Sequence, residues 1–135
     1  MIVFGVELKA SDANVVVVEK DSEGKYLGKE YKKIPLVSIK QEDVKSFRDL
    51  FTALIDQYSP SKLVINTRNQ KGEYAAGAVT FVMEGVLLTL DQVSVISIAG
   101  ATVRAKLNSG VIQTNFDNYP KYTKKAFQLA CIGCL

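Results

Sequence analysis

Residues 2–9 read IVFGVELK, apolar for most of their length and closing on one acid, Glu7, before a lysine. Both faces of an extended IVFGVEL would be apolar, which suits a central strand covered on two sides rather than an edge. Residues 13–20, ANVVVVEK, are equally rich in β-branched residues. The turn formers at 11–14 (SDAN) join the two as a hairpin. A second turn, DSEGK at 21–25, leads to a third strand over 26–36. Its lysines and Pro35 fit an edge, where unpaired backbone must be protected from association.

Beyond this meander the period changes. Val44, Phe47, Leu50, Phe51, Leu54 and Ile55 recur at three- and four-residue spacing, which predicts a helix from about Gln41, capped by Ser38 and ended at Ser59-Pro60. KLVIN (62–66) is a short buried strand. Strand, helix, strand requires a crossover and hence a parallel pair. TRNQKGE (67–73) is a polar loop. Residues 74–90 form a helix apolar nearly all round, expected to be buried on more than one side. Its opening Ala75-Ala76-Gly77-Ala78 is thin, which serves close packing on the sheet and offers a dimer contact. Residues 93–98 form the last strand and 99–107 a short helix. A loop follows over 108–119, and a final helix starts with Pro120 in its first position and runs to about Cys134. A three-strand meander followed by two crossovers is the layout of the ribonuclease H-like fold. The expectation is one α/β domain over residues 1–135, a five-stranded mixed sheet with helices on both faces.

Composition narrows the chemistry. The 135 residues carry a net charge of +3, with 47% hydrophobic and 23% charged residues, a soluble make-up without a basic run. The longest apolar stretch, residues 75–90, is interrupted by Thr80, Glu84 and Thr89 and is too short to span a bilayer. No basic region with a long apolar core opens the chain, so no signal peptide is expected and the cytoplasm is its expected place. The chain has no histidine, which removes Ser-His-Asp and Cys-His catalysis and His-liganded metals. The two cysteines form CIGC at a helix C-terminus, where the field opposes a thiolate. They read as a buried or fraying helix end, and a zinc site shared across a dimer is the other use open to them.

Three segments carry a resemblance. FGVELKASDANVVVVEK (4–20) resembles the opening hairpin of RuvC-type resolvases, in which a glycine precedes an acid at the end of the first strand. LVINTRNQKGEYAAGAVTFVMEGVLL (63–88) and VSVISIAGATVRAKL (93–107) resemble their fourth and fifth strands with the helices that follow. The chain is more similar still to a family of short, uncharacterised bacterial proteins with a ribonuclease H-like fold, on MIVFGVELKASDA (1–13) and RNQKGEYAAGAVTFVMEG (68–85). That resemblance implies a fold and cytoplasmic residence, and no established activity.

Ribonuclease H-like nucleases hold two divalent ions between several carboxylates. The resemblance implies acids at the end of the first strand, the end of the fourth, and in the final helix. Glu7 matches the first. Members of the similar family tend to place a glutamate where Thr67 stands. The final helix has no acid, and Lys121, Lys124 and Lys125 occupy its first turns. Glu84, about 16 Å along its helix from Glu73, is too far from the strand ends to serve. Glu7 is therefore expected to survive as a remnant without metal or other cofactor, neutralised by Arg68 or Lys71, with Thr67, Arg68 and Lys71 bordering a shallow pocket at the strand ends.

Two functions follow from this. The first is a catalytically degenerate module that binds nucleic acid or a protein partner, as a dimer through the thin helix. Arg68, Lys71, Arg104, Lys106, Lys121, Lys124 and Lys125 would supply phosphate contacts, and Tyr119 and Tyr122 stacking faces. The second is a divergent Mg- or Mn-dependent nuclease using Glu7 with Glu73 or Asp117, acting on structured nucleic acid.

Overall fold

The computed structural model describes residues 1–66 and 77–135. Five strands, β1 (Ile2–Lys9), β2 (Asp12–Lys20), β3 (Tyr26–Pro35), β4 (Lys62–Asn66) and β5 (Ser94–Ile98), form one sheet in the order β3-β2-β1-β4-β5. β1 is antiparallel to β2 and parallel to β4, and β4 is parallel to β5. This is the ribonuclease H-like architecture, with IVFGVELK as the middle strand and the lysine-bearing β3 at an edge.

Alternation along β1 sends Phe4, Val6 and Leu8 to one face. There they pack with Phe47, Phe51, Leu54 and Ile55 of α1 (Gln41–Tyr58) and Met83 and Leu87 of α2 (Ala78–Leu88). Val3 faces the other way with Val16, Val18 and Val64, under α3 (Gly100–Asn108) and α4 (Lys124–Gly133). Two glycines set how closely α4 lies on the sheet. A Cβ on Gly5 would meet the Ala126 carbonyl oxygen at 1.8 Å, and one on Gly133 would meet Val64 Cγ2 at 2.6 Å. Neither position has room for a larger side chain, so α4 rests directly on β1 and β4.

Several local expectations need correction. The β1–β2 turn is only Ala10-Ser11, because Lys9 already pairs with Asp12 and β2 begins there. Ala10 takes the left-handed conformation (φ 53°), unfavourable for alanine, and its carbonyl accepts a hydrogen bond from buried Thr80 Oγ1 at 2.9 Å. The N-cap of α1 is Lys40, not Ser38. The Ser38 hydroxyl instead accepts from the Lys40 amide and donates to Asp43 Oδ2. Leu50 is 50% exposed, since it sits about 80° round α1 from the centre of the buried stripe.

The helix expected over 74–90 spans Ala78–Leu88, with 74–76 outside the described residues. It buries one stripe, Thr80, Met83 and Leu87, rather than several sides. It packs on α1 and β1 and leaves Leu88 55% exposed on its outer face. The last helix does not start at Pro120. A 3-10 turn, Lys121–Thr123, comes first, closed by the Thr123 amide and hydroxyl on the Pro120 carbonyl. The loop before it contains another 3-10 turn, Phe116–Asn118, where Asn115 Oδ1 accepts from the Asp117 amide. No helix among the described residues is long and apolar enough to cross a membrane.

Candidate functional site

The two-residue turn sets what stands beside Glu7. Counting back from the Lys9–Asp12 pair, Glu7 falls opposite Asn14, and Asn14 falls opposite Lys33 of β3. The three form a row across neighbouring strands, near the carboxyl end of β1 and on the face that α4 covers. Asn14 is buried, and its Nδ2 donates to Glu7 Oε1 at 3.4 Å. The Asn14 Oδ1 atom is buried without a hydrogen-bond partner among the described residues. On the other side of β1, Asn66 Oδ1 accepts from the Leu8 amide at 3.1 Å, extending the β1–β4 ladder with a side chain.

The start of α4 overhangs this row because Gly5 lets the helix down onto β1. The result is a cleft of about 440 Å³ in which Glu7, Asp12 and Asn14 face Lys121, Lys124, Lys125 and Gln128. Lys9 and Lys33 complete the basic lining, so five lysines oppose two carboxylates. Lys33 Nζ also lies 4.8 Å from the centre of the Tyr122 ring. The first turn of α4 carries two lysines and no acid, and no side chain caps its N-terminus. Cations there work against the helix dipole. The preceding 3-10 turn takes up the Thr123 and Lys124 amides, on the Pro120 and Lys121 carbonyls. An anion would relieve the charge.

A second cavity, of about 370 Å³, adjoins the first through Lys121 and Lys124. Phe116, Asp117 and Tyr119 line the rest of it. Asp117 stands 3.9 Å from Lys124 and lines this cavity, not the Glu7 cleft.

Of the residues singled out from the sequence, Glu7, Lys121, Tyr122, Lys124 and Lys125 come together. Arg104 is exposed on α3 and does not line the cleft. Thr67, Arg68, Lys71 and Glu73 lie outside the described residues, and with them most of the expected pocket border and one alternative ligand. Among the described residues no three His, Cys, Asp or Glu side chains gather as metal ligands. In the described part of the cleft two carboxylates, Glu7 and Asp12, stand among five lysines, a lining richer in cations than in the oxygen ligands that divalent ions need. Sequence reading missed Asp12, Asn14, Lys9, Lys33 and Gln128. A two-residue turn at Ala10-Ser11 would have placed Asn14 and Lys33 in the row. Gln128 follows from Lys124 by one helical turn.

Cys131 and Cys134 are free and buried at the end of α4. Burial pushes both thiols up. Cys134 adds to this rise at Cys131, while Lys20 is the foremost of the nearby cations that offset it at Cys134.

Comparison with solved structures agrees on the fold. The chain is similar to T. thermophilus RuvC in complex with a Holliday junction substrate, with 13% identity and a TM-score of 0.74, over 97% of this chain and 91% of that one. It is similar to the yeast mitochondrial Holliday junction resolvase Ydc2, with 11% identity and a TM-score of 0.60, over 96% and 74% of the chains. The fowlpox virus resolvase with its Holliday junction DNA gives 13% identity and a TM-score of 0.56, over 100% and 99%. At these identities the likeness is one of fold. No curated protein matches the chain. A family profile matches residues 1–133, nearly the whole chain, so the protein belongs to the family described as Protein of unknown function (DUF3010).

Proposed function

We propose that this protein is a single ribonuclease H-like domain of the cytoplasm that binds nucleic acid without cutting it, through the lysine-lined cleft over Glu7. The observation that carries this reading is the placement of Lys121, in the 3-10 turn before α4, and of Lys124 and Lys125, in the first turn of α4, in one cleft with Glu7. Three ammonium groups at the positive end of a helix are unfavourable for the helix alone. They favour a bound polyanion, because phosphate contacts need only positive charge and donors. The same charge opposes divalent cations, so the single acid of β1 is a remnant rather than a ligand. The fold neighbours include resolvases solved with Holliday junctions, which supports branched DNA as the first ligand to try.

The chain acts as a homodimer in this proposal. The outer face of α2 bears exposed Leu88 next to Gly85, in a helix with one charged residue, Glu84. A second copy of the same helix would cover that face.

The test is binding of four-way junction, duplex and single-stranded DNA or RNA across a salt series, together with incubation in magnesium or manganese. Binding that weakens steeply with salt, with the nucleic acid left intact, is the expected result. Metal-dependent cleavage that Glu7→Gln abolishes would establish the nuclease instead. No binding at low salt would leave a protein as the partner.

A further inference from the structure

We propose that the cavity beside the lysine cleft takes one unpaired base of a nucleic-acid strand, so that the preferred ligand contains a single-stranded segment. The inference rests on the nucleic-acid reading above and adds to it the class of strand.

Two rings form the apolar wall of this cavity, Phe116 and Tyr119, both half-buried. Each is held against buried Phe127. The Phe116 and Phe127 centroids lie 5.2 Å apart with planes at 88°, and Tyr119 and Phe127 lie 4.9 Å apart at 62°. Tyr119 is pinned further. Its hydroxyl accepts from the Gly28 amide at 3.3 Å, and its ring fills the space that a Cβ on Gly28 would take, at 2.9 Å. Tyr31 meets it edge-on from β3. The wall is therefore fixed before any ligand arrives, and little ordering entropy is lost when a flat ring stacks on it.

Charge selects the ligand. Lys121 and Lys124 stand at once in this cavity and in the lysine cleft. A planar apolar group bonded to a phosphate satisfies both halves, and a nucleotide within a strand is such a group. The cavity, about 370 Å³, lies within the range of about 300–1,000 Å³ usual for small-ligand sites. A base paired within a duplex cannot reach the wall without leaving its stack, which costs free energy that an unpaired base does not spend.

The experiment compares an oligodeoxyadenylate with an abasic oligomer of the same length and phosphate number, at one salt concentration. Wild-type protein should bind the base-bearing strand about tenfold more tightly, the scale of one stacked base. Phe116→Leu keeps an apolar side chain against Phe127 but loses the π face. It should remove that preference and leave abasic binding unchanged. The chain has six tyrosines but no tryptophan, so Phe116→Trp supplies a sole tryptophan at the wall, excited at wavelengths that tyrosine does not absorb. Its emission should be quenched by the adenylate strand and not by the abasic one. Equal, salt-dependent binding of both strands would overturn the base pocket and leave the lysine cleft standing. No binding of either would overturn both.

Discussion

Asn14 stands opposite Glu7 in the β1–β2 ladder and gives its amide N–H to the Glu7 carboxylate, while its own carbonyl oxygen is buried without a partner among the described residues. The acid at the end of β1 is thus held by a neutral neighbour in the sheet. Among the described residues, the positive charge in its surroundings comes from the lysines that line the cleft.

Glu7→Gln should therefore strengthen polyanion binding. The change removes a negative charge from a cleft meant for phosphate and keeps a group able to hydrogen bond with Asn14. At the separations of a partly solvated cleft the gain is about threefold to tenfold at low salt and shrinks as salt rises. Fluorescence anisotropy with labelled DNA at two ionic strengths reads the sign. Weaker binding in the variant would point to a role for Glu7 in ligand capture.

The three lysines of the overhang predict a salt slope. For every phosphate that a variant no longer neutralises, the plot of log affinity against log salt should flatten by about 0.9 for duplex and 0.7 for single strands. Replacing Lys121, Lys124 and Lys125 together by alanine should flatten it by about 2 to 3. Arg104→Ala, outside the cleft, should leave it unchanged. Equal weakening in both variants would spread binding over the surface.

Gly5→Ala should destabilise the fold by about 3 kcal/mol or more, since the added methyl would strike the Ala126 backbone, which cannot rotate away. Urea denaturation measures it. Gly85→Ala meets open space and adds helix propensity, so it should be neutral or stabilising. A mild effect at Gly5 would mean that α4 is not seated on β1.

The Cys131 thiol is held above its usual value, near 9.0, chiefly by burial and then by Cys134. Below pH 9 both folded and unfolded chains keep its proton, and stability is unaffected. As pH rises further the unfolded chain loses the proton while the folded one keeps it. Stability should then fall, by at most about 1.4 kcal/mol per pH unit for this thiol. Cys131→Ala should remove that part of the alkaline slope, as read by denaturation between pH 8 and about 10.5. An unchanged slope would place the thiol in contact with water.

Leu88→Glu should shift the protein to monomer in light scattering, with its circular dichroism retained, because the substituted position is exposed within one copy. A wild-type protein that is monomeric at high concentration would remove the dimer.

Periodicity alone carried the strand order of the meander, the stripe of α1 and the two crossovers, since period-two and period-3.6 burial are written locally. Where it failed, a tertiary contact outweighed local preference. Ala10 tolerates a left-handed turn that Thr80 holds from α2. Leu50 and Leu88 are apolar, yet nothing among the described residues covers them fully.

From the order of its residues this protein determined a central strand ending in an acid, an edge rich in lysine, and a last helix without carboxylates. The meeting of Glu7 with Lys124 and Lys125 was decided only when the chain folded. Well over a hundred positions separate them, and no local period links such distant residues. Their proximity depends on how far one helix sinks onto one strand, which is set by the missing side chains of Gly5 and Gly133.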